Sequence, residues 1–306
     1  MRIRPSRSVG LLAAAALAAA GLGAASGCGS TQVAGDGPQV AGDSPEALAQ
    51  RARQVAAAWD GSTAAAAWRS GYHPMGEVVQ PPRGGLLSQA DKQAYRQRSF
   101  VLGDELPTNG PHDGRVTWAR GKSLTRPLTR PEEAYQALVG ARAEGKPYLT
   151  VTGAKLGEMS VVTSRGPAMV PAWLFSLEGY DSPLKQAAAV PSELPRSPIE
   201  RARGIPGYPL RHLVRIAADS LSVTVVALHR VCDHGPAVEV LETPGSVVLS
   251  ASVKPRKGGG TCTKQGKLQE VTVKLDRSLG DRILLDAHTG RPVPYKPSLG
   301  PSSSWS

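Results

Sequence analysis

Residues 271–275 read Val-Thr-Val-Lys-Leu, with apolar and polar side chains alternating strictly. A period of two puts every second side chain on one face, which a strand can bury and a helix cannot. Val223-Thr-Val225 repeats the pattern. So do Val247, Leu249, Ala251 and Val253, interleaved with Val248 and serines. Turn formers fall between these runs, as in Thr243-Pro-Gly and Lys257-Gly-Gly-Gly. Short strands at this spacing predict a small antiparallel sandwich or meander over residues 212–297. Tyr295 is the single aromatic residue there, so an aliphatic core is expected.

The preceding residues are mixed. Pro45 and Glu46 after Ser44 open a helix, with an N-cap, a proline at the first position and then an acid. Leu48, Ala52, Val55 and Trp59 continue it on one face, and Asp60-Gly61 breaks it. Ser62 caps a second helix carrying Trp68. Ser88, with Asp91 three residues on, caps a short polar helix over 88–98. Residues 115–119 and 123–125 flank Arg120-Gly121-Lys122 as a hairpin. Pro131-Glu132-Glu133 opens a further helix with Ala134, Tyr135, Leu138 and Val139 facing inward, ended by Gly145. Strands are expected at 148–152, 160–163 and 169–177, with a turn at Arg165-Gly166-Pro167. Five prolines between 190 and 210 read as a crossover linker. The fold class is therefore α+β: a mixed helical and stranded N-terminal domain, then a mainly antiparallel β domain. The expected divisions are 1–27, 28–44, 45–189, 190–211, 212–297 and a disordered tail at 298–306.

The first division is a secretory signal. Arg2, Arg4 and Arg7 precede the apolar run 9–25, which falls short of the ~20 residues that cross a bilayer and is weakened by Gly21 and Gly23. No twin-arginine pair is present, which favours the general secretory route. Residues 28–44 are small, polar and Pro-containing. They carry most of a seven-residue near-repeat, Gln-Val-Ala-Gly-Asp-Gly/Ser-Pro, and read as a flexible tether.

The chain has three cysteines, Cys28, Cys232 and Cys262. Outside the cytoplasm Cys232 and Cys262 most simply pair. Closing the 30-residue loop between them would stabilise by roughly 3–4 kcal/mol in the chain-entropy model. The alternative is a metal site, since His229, Cys232 and His234 lie close together. Their spacing matches no common zinc pattern, so no metal or cofactor is expected.

Lys and Arg number 36 against 25 Asp and Glu, a formal charge of +11 that falls to +8 without the signal. Such a surplus suits nucleic acid, an anionic membrane or an anionic polymer. Sparse aromatics and export argue against nucleic acid. A solvated surface is the simplest reading, and a binder of anionic wall polymer would need the cations to cluster. No catalytic residues are assigned. Ser182-Pro-Leu-Lys185 matches Ser-x-x-Lys but contains proline and lacks a downstream Lys-Thr-Gly. Asp281, Arg282, Asp286 and His288 could hold a metal or exchange protons, but capping turns and pairing with arginine is the plainer role. The six histidines, His73, His112, His212, His229, His234 and His288, show no partner pattern, so each is expected on the surface or hydrogen-bonded. Trp173 suits either a ligand groove or the core, with the core favoured on burial grounds.

Ala25-Ser26-Gly27-Cys28 resembles the lipobox of bacterial lipoproteins, with Ala25 where leucine is usual. The resemblance implies cleavage before Cys28 and a diacylglyceryl anchor on its thiol. Ordinary cleavage at Ala24-Ala25-Ser26 is the alternative and would release a soluble protein. TGAKLGEMSVVTSRGPAMVPAWLFSLEG (residues 152–179) is similar to a pattern in actinobacterial (Streptomyces-type) secreted proteins and lipoproteins of uncharacterised function. So is the run 223–293, ending in VTVKLDRSLGDRILLDAHTGRPV. Together they imply a protein of the cell envelope, held to membrane lipid by its N-terminus. Strong export signals without a catalytic constellation lead to the expectation of a binding or structural role and no enzymatic activity. A wall-associated hydrolase or transferase is the second expectation.

Overall fold

The computed structural model describes residues 45–140, 145–254 and 265–296. The signal (1–27), Cys28 and the tether (28–44) lie outside the described residues. So do Cys262 and the tail (298–306).

Helix α1 (Pro45–Trp59) begins at its proline and buries Leu48, Arg51, Ala52, Val55, Ala56 and Trp59 along one face. The Ser62 hydroxyl caps α2 (Thr63–Ser70) by accepting from the Ala65 N–H at 3.1 Å. Beyond the short strand β1 (Val79–Gln80), α3 (Gln89–Gln97) carries the expected capping box between Ser88 and Asp91. Then come β2 (Phe100–Leu102), β3 (Asp113–Trp118), β4 (Ser123–Pro127) and α4 (Pro131–Leu138), which ends well before Gly145.

The first sheet is organised by β5 (Leu149–Thr163) and β6 (Gly166–Leu177), a long antiparallel hairpin turning at Ser164 and Arg165. The two strands expected at 148–152 and 160–163 are one. Gly153 and Gly157 suggest a break between them, yet pairing with β6 runs through both glycines with only a bulge after Val151. Gly157 is where Leu174 crosses: a Cβ would lie 2.5 Å from its Cδ1. On the far edge of β6, β3 pairs with its start and β7 (Leu184–Ala187) with its end. β2 runs parallel on the outer edge of β5. The Met75 N–H donates to Val162 O on that same edge, and four residues on β1 pairs with β7. One segment thus covers exposed edges of both outer strands, leaving fewer unpaired backbone groups.

The C-terminal third forms two smaller sheets. β8 (His212–Ile216), β9 (Ser222–Arg230) and β12 (Gly266–Lys274) are antiparallel, in the order β12-β9-β8. β10 (Pro236–Glu242), β11 (Ser246–Val253), β13 (Ile283–Asp286) and β14 (Arg291–Pro292) make the other. Pairing is antiparallel throughout except between β11 and β13, which run parallel. The region is thus α+β with a mainly antiparallel end, but not a pure meander. β12 leaves for the other sheet between β11 and β13.

Two hydrophobic clusters hold the chain. One joins Tyr72, Trp118, Phe175 and Trp173 across the first sheet. The other joins the aliphatic residues of both C-terminal sheets to Val55, Trp59 and Trp68. The two N-terminal helices, expected in one domain with residues up to 189, therefore bury their apolar faces among residues 210–295. All described residues belong to one compact unit. None of the described helices is long and apolar enough to cross a membrane.

Candidate functional site

The turn between β13 and β14 begins at Asp286, almost wholly buried. Its carboxylate accepts from the Thr289 hydroxyl at 2.8 Å and from the backbone N–H groups of His288 and Thr289. That is an Asx turn, and Gly290 completes it with φ +67°. A Cβ on Gly290 would also lie 2.7 Å from the Ile199 side chain, so both conformation and space require glycine. Two tethers from α1 fix the turn. Trp59 Nε1–H donates to Gly290 O at 2.7 Å, and Arg51 Nε–H donates to Ala287 O at 3.0 Å. Burial pushes the Arg51 pKa down, and the Asp286 charge partly restores it.

The proline-rich segment 193–206 passes over this turn as a strap. Arg51 donates through Nη2 to Glu200 O, and the Ala202 N–H donates to His288 O at 2.8 Å. The Ser197 hydroxyl donates to Gly290 O at 2.6 Å, and His288 Nε2–H donates to Pro206 O at 2.9 Å. The segment expected as a crossover linker is thus bound at several points along its length.

Between strap and turn lies a groove of about 1050 Å³. Its charged lining is Arg196, Arg201, Arg203 and Arg291 with Glu193 and Glu200. Arg196, Arg201 and Arg203 are exposed. Among the described residues no carboxylate pairs with any of the three. Guanidinium forks on a fixed backbone suit bidentate contact with phosphate or carboxylate oxygens. Nothing in the composition of residues 190–210 as a linker points to this. Three arginines within the eight residues 196–203 were the available signal.

The residues singled out from sequence are scattered. Asp286 and His288 are together behind the groove, their Oδ1 and Nδ1 3.8 Å apart. Asp281 is exposed, and Arg282 faces elsewhere. Arg282 pairs with Glu242 at 2.6 Å, both side chains nearly buried. Burial pushes Glu242 up, but hydrogen bonds from the Asp276 N–H and from Arg282 outweigh it and hold the pKa below the usual range. Ser182 Oγ accepts from the Arg83 N–H, whereas Lys185 lies in β7 and its Nζ approaches Glu158 O. Serine and lysine are thus engaged separately. Trp173 is 3% exposed and donates to Thr129 O, so it belongs to the core and lines no groove.

His229 and His234 flank Cys232. His229 Nδ1 donates to Arg230 O, and the His234 N–H donates to Lys254 O. Cys232 is half-buried and bonded, not a free thiol. Among the described residues no three His, Cys, Asp or Glu side chains could hold a metal ion. His73 departs most from expectation. It is 2% exposed, stacked on Trp68 at 4.2 Å, and both ring nitrogens lack a partner.

No family model, no curated protein and no solved structure matches this chain.

Proposed function

We propose that this chain is a lipid-anchored extracytoplasmic protein of the cell envelope whose folded body binds a ligand and does not transform one. The observation that carries the binding role is the strap groove, a preorganised concave surface edged by three arginines without carboxylate partners. Preorganisation lowers the ordering cost of binding. The Asp286–His288 pair behind the groove is buried, and His288 Nε2–H is committed to Pro206 O, so that pair acts in holding the turn. Glu193 and Glu200 are the carboxylates open to the groove, and no histidine or cysteine lines it beside them among the described residues. The Ser197 and Thr289 hydroxyls in the lining are committed to Gly290 O and Asp286, which supports binding over catalysis.

The anchor rests on Arg2, Arg4 and Arg7, the apolar run 9–25 and the small residues before Cys28. Two acyl chains give stable membrane attachment where one is marginal. In this reading the uncharacterised actinobacterial secreted lipoproteins remain the family of resemblance, and Cys232 pairs with Cys262.

Fractionation of cells expressing the wild type or Cys28→Ser tests the anchor. The wild type is expected in the membrane fraction, released by detergent and not by high salt. Cys28→Ser is expected to lose lipid labelling and to accumulate as an uncleaved precursor. Unlabelled wild type in the culture medium would overturn the anchor.

A further inference from the structure

The groove's shape and charge say more than that something binds. Its volume, about 1050 Å³, exceeds what one small anion fills. Its cations lie along a strap, at 196, 201 and 203, with Arg291 on the facing turn. Pro195 and Pro198 fix φ and remove donors in that strap. The carbonyls of Glu200 and Pro206 point inward to Arg51 and His288, and that of Gly290 accepts from Trp59. Held from behind, the strap presents its arginines outward with little backbone freedom to lose. The groove contains no aromatic side chain for stacking on a sugar ring or base. Its charge is the only strong recognition element.

We infer that the groove binds a linear polyanion with repeating phosphate groups, its phosphates spaced along Arg196, Arg201 and Arg203. This rests on the binding role proposed above and names its ligand class. Each guanidinium can take two oxygens of one phosphate, which lysine cannot match. Glu193 and Glu200 in the same lining oppose the ligand, limiting affinity and penalising misplaced phosphates. A repeating ligand offsets this by engaging several arginines at once, as a monomeric phosphate cannot.

The test is equilibrium binding of the purified full chain to long-chain inorganic polyphosphate, titrated over salt. Orthophosphate, an uncharged glucan, and vesicles of phosphatidylcholine with phosphatidylglycerol serve as separate probes. Polyphosphate is expected to bind with a steep salt dependence, and the other probes weakly or not at all. Replacing Arg196, Arg201 and Arg203 together by Gln should weaken binding tenfold or more and reduce the log–log salt slope by about one unit per arginine. Glu200→Gln should strengthen it. A control triple at Lys92, Arg115 and Lys267, all exposed and outside the groove lining, removes the same charge and should change affinity less than about threefold by weak long-range screening alone.

Equal loss in the two triples would overturn the inference, because scattered charge would then suffice. So would tighter binding to the anionic vesicles or to glucan, or the absence of polyphosphate binding. The titration reads the same whether the protein comes from membrane or medium, so failure here is separable from failure of the anchor. Binding of glucan alone would overturn the ligand class while leaving a binding role standing.

Discussion

His73 is where one residue sets a property of the whole protein. Its ring lies against Trp68 with the planes 6° apart, and neither nitrogen has a partner. Burial pushes its pKa down to about 4, with the Arg126 guanidinium adding to the shift. The unfolded chain binds this proton near pH 6.5, and the folded chain resists it until about pH 4. The folded pKa is depressed, so stability is intact above about 6.5 and falls as pH drops toward 4, by roughly 3 kcal/mol if fully expressed. His212 is also lowered, chiefly by burial, so the difference between variants is the informative quantity. The urea midpoint of His73→Leu should rise relative to that of the wild type as pH falls from 7 to 4.5, because the variant's acid limb is flatter. Parallel limbs would remove His73 as the cause. Sequence gave no warning of this residue. Burial of a histidine depends on what the fold brings over it, here Trp68, while the Ser164 N–H holds the His73 backbone carbonyl.

At the scale of elements, α1, the β13–β14 turn and the strap depend on Arg51. It is one of few buried cations, and it satisfies Ala287 O and Glu200 O from one guanidinium. Arg51→Met keeps the packing but orphans both carbonyls and leaves Asp286 without its compensating charge. It should cost about 3 kcal/mol and loosen the strap. Trypsin should then cut faster after Arg201 and Arg203, visible as early fragments by mass. An unchanged digest would mean the strap is held elsewhere. The helices themselves were legible, because Ser62, Ser88 and Pro131 act locally within one turn. The continuity of β5 was not, since Gly153 and Gly157 lower strand propensity while the partner that overrides them lies across the hairpin. The parallel β11–β13 pair was also hidden. Alternating Val and Leu mark a strand but do not say which strand lies beside it.

Across the whole molecule, two clusters share one chain that passes back and forth between them: Trp68 and Met75 belong to one, Tyr72 and Val78 to the other, and the chain returns to the first between Ala189 and Leu210. Beside their own Tyr295, the C-terminal sheets take aromatic filling from Trp59 and Trp68, which precede them by well over a hundred residues. Alternation predicted strands there, but the aliphatic core expected of them is completed by tryptophans from the two helices. Helix periodicity predicted the apolar faces of α1 and α2, but neither pattern names the surface a face will cover. The groove was invisible for the same reason. Its arginines were readable as a local cluster, but their fixed backbone comes from Arg51 and from Gly290 O, about 150 and 90 residues away. We propose that such a body is carried on a lipid tether. The most direct test is the intact mass of protein extracted from membranes, with and without reductant. The expected result is a chain beginning at Cys28, heavier by a diacylglyceryl group or more, and gaining two hydrogens when Cys232 and Cys262 are reduced. A lipid-free chain beginning near Gly27 would contradict it.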